Sequence, residues 1–585
     1  QNSLITIYCN ENPSSEIEVY LDYQYANSII KKLASDSNLN QYVTKIIQES
    51  NSNLNNAIQL MKFDENGECQ IMRDDKNRWE VLLGKDLIAN HAIEIIENLS
   101  LFTSLGFSGY YELDSNIITS QITYLSIEQY KIVINKLIEK DVVIKRGDFI
   151  FLKAYGNEIA EAKLKSFMSG DRKVLINDIV KFGLAYKFGS KLLELAKAES
   201  TRQAVEDFIL ADDVMQEIEF INNEQGANIL LFLAEVSPER VERALVSKFL
   251  TKDIESLKRI HGRQSIINTL QKLVFNKNFF ESSAKILYKL ALAENEIYLN
   301  NATGQFAHLF NIVLSGTEVD LKTRVALLKE LKKDVCDGNY HVLTVAIQTG
   351  LRTRGFMRVG SYHEQAHKVY RDYYPQDEKE RNDYWGELIE ILLDIDTAES
   401  EKVIADSFIS QFDEGNSDKI FEALEVVIKK DGKINKDFRD KFDFVLNERV
   451  ISDHNKIEKV RLLYDKYQDK SIKGRLESIV SLAPYTWVVG KRGEEIDLPE
   501  KKSRELAHEL MSSNDTEWLD YIEVLLFDEQ RHTNSFGNEI AQYNPEFTEL
   551  FDSAFKILQV RQTENQNIDL LFGYFRGSQS DHFKR

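Results

Sequence analysis

His363-Glu364-Gln365-Ala366-His367 matches the pattern HExxH. On a helix the two imidazoles would share one face a turn apart and hold a zinc ion, with Glu364 placed to activate a bound water. The flanking residues argue against that chemistry. Gly360 and Ser361 precede the pattern where a buried apolar helix is needed, charged Lys368 follows it, and no third ligand stands downstream in a recognisable motif. So short a pattern arises by chance. His363, Glu364 and His367 read as polar helix surface, and no metal is expected on them.

Other catalytic sets are missing too. No GxxxxGK[ST] loop occurs, so the amides and lysine that cradle a triphosphate are lacking, and the chain alone is not expected to hydrolyse ATP. No Ser-His-Asp, Cys-His or nuclease-like carboxylate set assembles. Cys9, Cys69 and Cys336 are odd in number and far apart, which predicts reduced thiols and a cytoplasmic protein.

Aromatic residues offer a different chemistry, that of partner binding. Tyr370, Tyr373, Tyr374, Tyr384 and Trp385 cluster in one stretch, and Tyr485 with Trp487 in another. Tyr and Trp are enriched in interface hot spots, although they also pack helices together. Tyr373, Trp385, Tyr485 and Trp487 are the candidate partner-binding residues. The last two lie in APYTWVVGKRGEEIDLPEKK (483–502), which interrupts the helical pattern, and its Val488-Val489, Gly490 and Gly493 fit a short hairpin. Loops on a rigid scaffold are where recognition residues concentrate.

The elements that must carry these residues are mostly helices. Only 6 prolines occur in 585 residues, against an average of about 5%, and proline is what breaks helix interiors. From about residue 173 amphipathic runs follow one another: SKLLELAK, ILLFLAEVSPERVERALVSKFL, QSIINTLQKLVFN and SSAKILYKLALAE. Each must bury its apolar face on a neighbour, which is how a helical solenoid is built. The spacing reads as irregular and HEAT-like rather than strictly TPR-like.

The region before it reads differently. Ser126 sits where an N-cap belongs, and Gln129 three residues later completes a capping box. Ile127, Tyr130, Ile134, Leu137 and Ile138 then form one apolar face. Val142-Val143-Ile144 and Phe149-Ile150-Phe151, joined by Lys145-Arg146-Gly147-Asp148, predict a β-hairpin wing behind that helix. Nearer the start, SLITIYC (3–9) and EIEVYLDY (16–23) read as strands, and helices are expected from YANSIIKKLAS and over about 41–63.

No apolar run is long enough to span a membrane, and NSLITIYCNE lacks the basic leader of a signal peptide. The net charge of −21 opposes phosphate binding, so nucleic acid is not an expected partner despite Arg352, Arg354 and Arg358.

LSLFTSLGFSGYYE (99–112), the wing, and YGNEIAEAKL (155–164) together resemble the prokaryotic antiviral STAND ATPases of the Avs group. LAEVSPERVERAL (233–245) and the stretch 300–324 resemble segments of their sensor arrays. The resemblance implies a mainly α fold in three parts. Residues 1–80 would end an α/β NTPase domain, with its last strands and helical lid. Residues 81–170 would form a winged helix, and 171–585 an α-solenoid sensor of irregular HEAT/TPR-like repeats.

In that comparison IIQESNSNLNNAIQLM (46–61) lies on the lid segment, where the family carries Gly-Asn-Pro near the nucleotide. Asn53 matches, while Ser52 and Leu54 replace Gly and Pro, so Asn53 and Leu54 are the cofactor-binding candidates. The intact protein would bind ATP and Mg and carry an N-terminal effector. It would recognise a phage terminase- or portal-like protein and form a homo-oligomer on activation. A STAND-type transcriptional regulator and a plain helical scaffold are the alternative readings.

Overall fold

Local chemistry explains the helix-and-hairpin module early in the chain. In the computed structural model Ser126 caps the helix Ile127–Glu139: its hydroxyl accepts from the Gln129 amide at 3.2 Å, and the Gln129 side chain accepts from the Ser126 amide at 3.0 Å. Tyr130, Val133, Ile134 and Leu137 form the helix's buried face, each aliphatic one contributing about 1.5–3 kcal/mol. The strands Val143–Arg146 and Phe149–Leu152 pair antiparallel, Val143 opposite Leu152 and Arg146 opposite Phe149. Gly147 turns the chain with φ 57°, a region open to glycine. A third strand, Leu105–Gly106, joins the other edge of Phe149–Leu152. The sequence gives no sign of that strand.

The structure describes residues 3–8, 16–21, 23–36, 39, 41, 43–49, 57, 61 and 83–578. Excepted within the last span are 154–155, 211–222, 299, 336–337, 357–363, 366–367, 448–450, 452, 482, 484–486, 490–494, 514–515, 529 and 562–564. The described chain is mainly helical and divides into two compact units. One comprises residues 1–309, 314–319 and 358–373. The other comprises 310–313, 320–357 and 374–585.

In the first unit, Ser3–Tyr8 and Glu16–Leu21 pair antiparallel, Ser3 opposite Leu21 and Tyr8 opposite Glu16. They form a two-stranded ribbon. The helices Tyr23–Asp36 and Val43–Glu49 follow, and Ile30, Ala34, Leu39, Ile46, Ala57 and Met61 make a small core of their own.

Beyond the hairpin module five helices start at a fixed spacing. Ala185–Lys197, Glu224–Val236, Arg263–Leu273, Ala302–His308 and His341–Gly350 each start 39 residues after the one before. In the first unit Ala185–Lys197 packs on Glu224–Val236, and Glu224–Val236 on Arg263–Leu273. Leu192, Leu270 and Leu309 hold equivalent positions in this spacing and are buried. Over these five helices the spacing is constant, while the helices between them, starting at Glu199, Pro238, Ile254, Phe280 and Leu321, follow at uneven intervals.

The second unit continues with helices that pack on their neighbours in sequence: Glu378–Ile395 on Ala398–Glu414, Ala398–Glu414 on Ser417–Asp431, and Lys436–Asn447 on His454–Tyr467. Asp377, Thr397, Asn416 and Asp453 supply N-caps, each worth about 1 kcal/mol. The last core gathers Trp518, Phe536, Leu550 and Tyr574. There Thr533–Tyr543 and Asp569–Gly577 cross at backbone contact. A Cβ on Gly573 would stand 1.9 Å from the Asn534 carbonyl oxygen, and one on Gly537 2.1 Å from that of Leu570.

Candidate functional site

The candidate residues scatter. Asn53, Leu54, His363, His367 and Tyr485 lie outside the described residues. Glu364 lies in the strand Glu364–Gln365, paired antiparallel with Lys368–Val369. Of the five HExxH residues only Glu364 and Gln365 are described, and they are extended, which corrects the expectation of a polar helix surface at Glu364. Among the described residues no group of three or more His, Cys, Asp or Glu stands together as a metal site. No described helix is long and apolar enough to cross a membrane.

The aromatic stretch divides between exposed and buried positions. Trp385 is 3% exposed, and its indole N–H donates to the Gly350 carbonyl at 3.1 Å. Tyr384 is equally buried, its hydroxyl donating to the Phe310 carbonyl at 2.6 Å, and burial pushes its phenol above the usual range. Both side chains lie on the buried face of Glu378–Ile395. Trp385 is thus a packing residue, which corrects its assignment to a partner surface. Tyr370 is buried and accepts from the Asn276 amide at 3.0 Å. Tyr373 is half-buried and its backbone N–H donates to Thr317, whereas Tyr374 is 57% exposed.

The hairpin expected within 483–502 is present. Trp487–Val489 pairs antiparallel with Glu495–Asp497, Trp487 opposite Asp497. Its base is built on buried polar groups. The Asp497 side chain caps Leu498–Ser512 by accepting from the Glu500 amide at 3.4 Å. His532, 2% exposed, bonds the Ala483 carbonyl through Nε2 at 2.9 Å, which requires the proton on Nε2. Burial pulls the His532 imidazole below its ordinary value, against the carboxylates of Asp497 and Glu500. In the helix Lys436–Asn447, desolvation pushes the half-buried Asp443 carboxyl up to about 6, while Lys502, Arg439 and the Tyr464 hydroxyl oppose the rise. Burial in turn pushes Tyr464 up to about 12.

Two features went unread in the sequence. The first is an exposed aromatic edge on the hairpin module. Tyr110 is 89% and Leu113 72% exposed, and Tyr110, Tyr111 and Phe149 form a ring-to-ring row at 5.4 and 4.8 Å. Ion pairs Lys131–Glu112 and Lys187–Asp114 fix the segment that carries it.

The second feature is a cavity of about 520 Å³ in the second unit. Its walls come from Ile472–Arg475, the π-helical turn Leu476–Ser481, the 3-10 segment Glu517–Leu525 and Arg561. Four carboxylates line it (Glu477, Asp520, Glu523 and Asp528) against two cations, Lys473 and Arg561. Only a signal combining residues from 473 to 561 could have revealed it.

No family model matches the chain, and no curated protein matches it. A solved structure of an engineered protein is similar at 12% identity, the match covering 84% of this chain and 99% of that one with a TM-score of 0.14. A score that low carries no argument about function.

Proposed function

We propose that this chain is the sensor portion of a STAND-type antiphage defence protein, a helical array that recognises a phage terminase- or portal-like protein. The observation that carries the reading is the constant 39-residue spacing of helix starts from Ala185 to His341. Arrays of stacked helical repeats present extended concave faces to partner proteins. The spacing lies close to the roughly 40–47 residues of HEAT-type repeats and above the 34 of TPR repeats.

The helix Ile127–Glu139 with the hairpin behind it supports a winged helix over 81–170. Glu128 and Glu139 are exposed on that helix and would repel phosphate, so the module acts as a spacer between parts rather than as a reader of DNA. In the intact protein, target binding releases an autoinhibited arrangement, and ATP-dependent oligomerisation then switches on a separate effector.

The test is titration of the purified chain against phage terminase large subunits and portals, beside the intact defence protein. A target recognised by both at similar affinity is the expected result. Recognition by the intact protein alone would place the sensor elsewhere and end this reading.

A further inference from the structure

The cavity in the second unit has chemistry of its own, independent of the function proposed above. Its wall already holds one guanidinium. Arg561 sits 5.5 Å from the centre of the Phe527 ring, and its Nη1 meets Glu523 Oε1 at 2.7 Å. That pairing neutralises one of the four carboxylates. Glu477, Asp520 and Asp528 remain, and among the described residues neither they nor Lys473 form an ion pair. The remaining formal charge is three carboxylates against one ammonium.

Beside these stand Tyr521, Val524 and Phe527. The Gln530 amide nitrogen donates to the carbonyls of Val524 at 3.1 Å and Phe527 at 2.5 Å. Those bonds orient its side-chain oxygen, which is buried with no hydrogen-bond partner among the described residues.

This combination selects its ligand. An anion would meet a surplus of carboxylates. An apolar ligand would desolvate unpaired charges without compensating them. A divalent metal needs converging oxygen ligands and gains nothing from aromatic walls, and no described metal-binding group is present. An organic cation uses both kinds of wall, since its N–H groups pair with carboxylates and its flat or methylene part lies on rings. The volume falls within the roughly 300–1,000 Å³ of small-ligand sites.

We propose that this cavity binds a guanidinium or alkylammonium group, either the arginine side chain of a protein segment or a free small amine.

The test is calorimetric titration of the full chain with agmatine, with the peptide acetyl-Gly-Arg-Gly-amide and with inorganic phosphate. Saturable 1:1 binding of a cationic probe is expected, weakened at least about tenfold by Asp520→Asn combined with Asp528→Asn, a loss of about 1.4 kcal/mol. Lys473→Ala should tighten it several-fold by removing the competing ammonium. Binding of the peptide without agmatine identifies a protein-borne arginine, and binding of agmatine without the peptide identifies a free amine. Asp520 and Asp528 are exposed, so these changes leave the packing in place. Should the double variant lose its helical signal, Lys473→Ala alone decides the matter. Absence of binding by both cations up to about 10 mM, binding unchanged by the substitutions, or preference for phosphate overturns the proposal.

Discussion

Replacing Asp443 by Asn should stabilise the second unit at neutral pH and remove a pH dependence that the parent shows. Desolvation raises the carboxyl from 3.8 to about 6. Between those values the folded state holds a proton that the unfolded state has released. Stability contributed by this group is therefore fully present below pH 3.8 and is lost as pH rises through 6. The gap of about 2.2 pH units, at 1.36 kcal/mol each, sets a ceiling of about 3 kcal/mol. Asparagine keeps a hydrogen-bonding side chain toward Tyr464 and never ionises.

A chain with two units has no single unfolding free energy, so the suitable assay is amide hydrogen exchange across Lys436–Asn447, corrected for intrinsic rates, from pH 4 to 7.5. Relative to Asp443→Asn, the parent should lose protection by up to about 3 kcal/mol over that range. Parallel pH profiles, or an asparagine variant less protected than the parent at pH 7.5, would refute the reasoning. Parallel profiles would mean that Lys502 and Arg439 cancel the desolvation, and a less protected asparagine variant that they outweigh it and the charge stabilises the fold.

His532 should behave with the opposite sign. Its imidazole is held neutral by burial, so protection of Thr533–Tyr543 should persist above pH 6.5 and decline as pH falls below it; protection that rises on acidification contradicts this. Gly573→Ala forces Thr533–Tyr543 and Asp569–Gly577 apart and should cost about 3 kcal/mol or more, read as a lower melting temperature by circular dichroism, and an unchanged melt would show that the crossing is not tight. Trp385→Ala should cost about 3–5 kcal/mol and lower helical content, whereas Tyr374→Ala should leave the melt unchanged; equal effects in the two variants would contradict their different burial.

What could be read in the sequence was what local chemistry decides. The capping box at Ser126 and Gln129 and the turn at Gly147 each depend on residues a few positions apart, and both are where the pattern puts them. The strand Leu105–Gly106 escaped because it is two residues long and its partner, Phe149–Ile150, lies more than forty residues away. Trp385 was misplaced because an aromatic side chain suits a core and an interface equally, and only the packing of Glu378–Ile395 decides between them. The HExxH letters could not announce an extended backbone, since the ladder between Glu364–Gln365 and Lys368–Val369 is a pairing of main chains. The helix spacing did leave a mark, leucine at 192, 231, 270 and 309, but uneven segments between these positions hide it. The cavity is a purely tertiary object.

The constant interval between helix starts also makes length a modular property. Each 39-residue step delivers the chain to an equivalent point on an equivalent helix, so removing residues 224–262 would carry the segment after Ala185–Lys197 straight into Arg263–Leu273 in phase. Losing a few residues inside one of these helices would rotate the rest of its apolar stripe, since each residue turns a helix by about 100°, whereas a connecting loop absorbs such a change. Gain or loss of whole steps is then the route by which such a chain can lengthen or shorten its contact surface without rebuilding its interior. Genetic variation in this stretch should be tolerated in multiples of one step, and fractions of a step rejected where the break falls inside a helix.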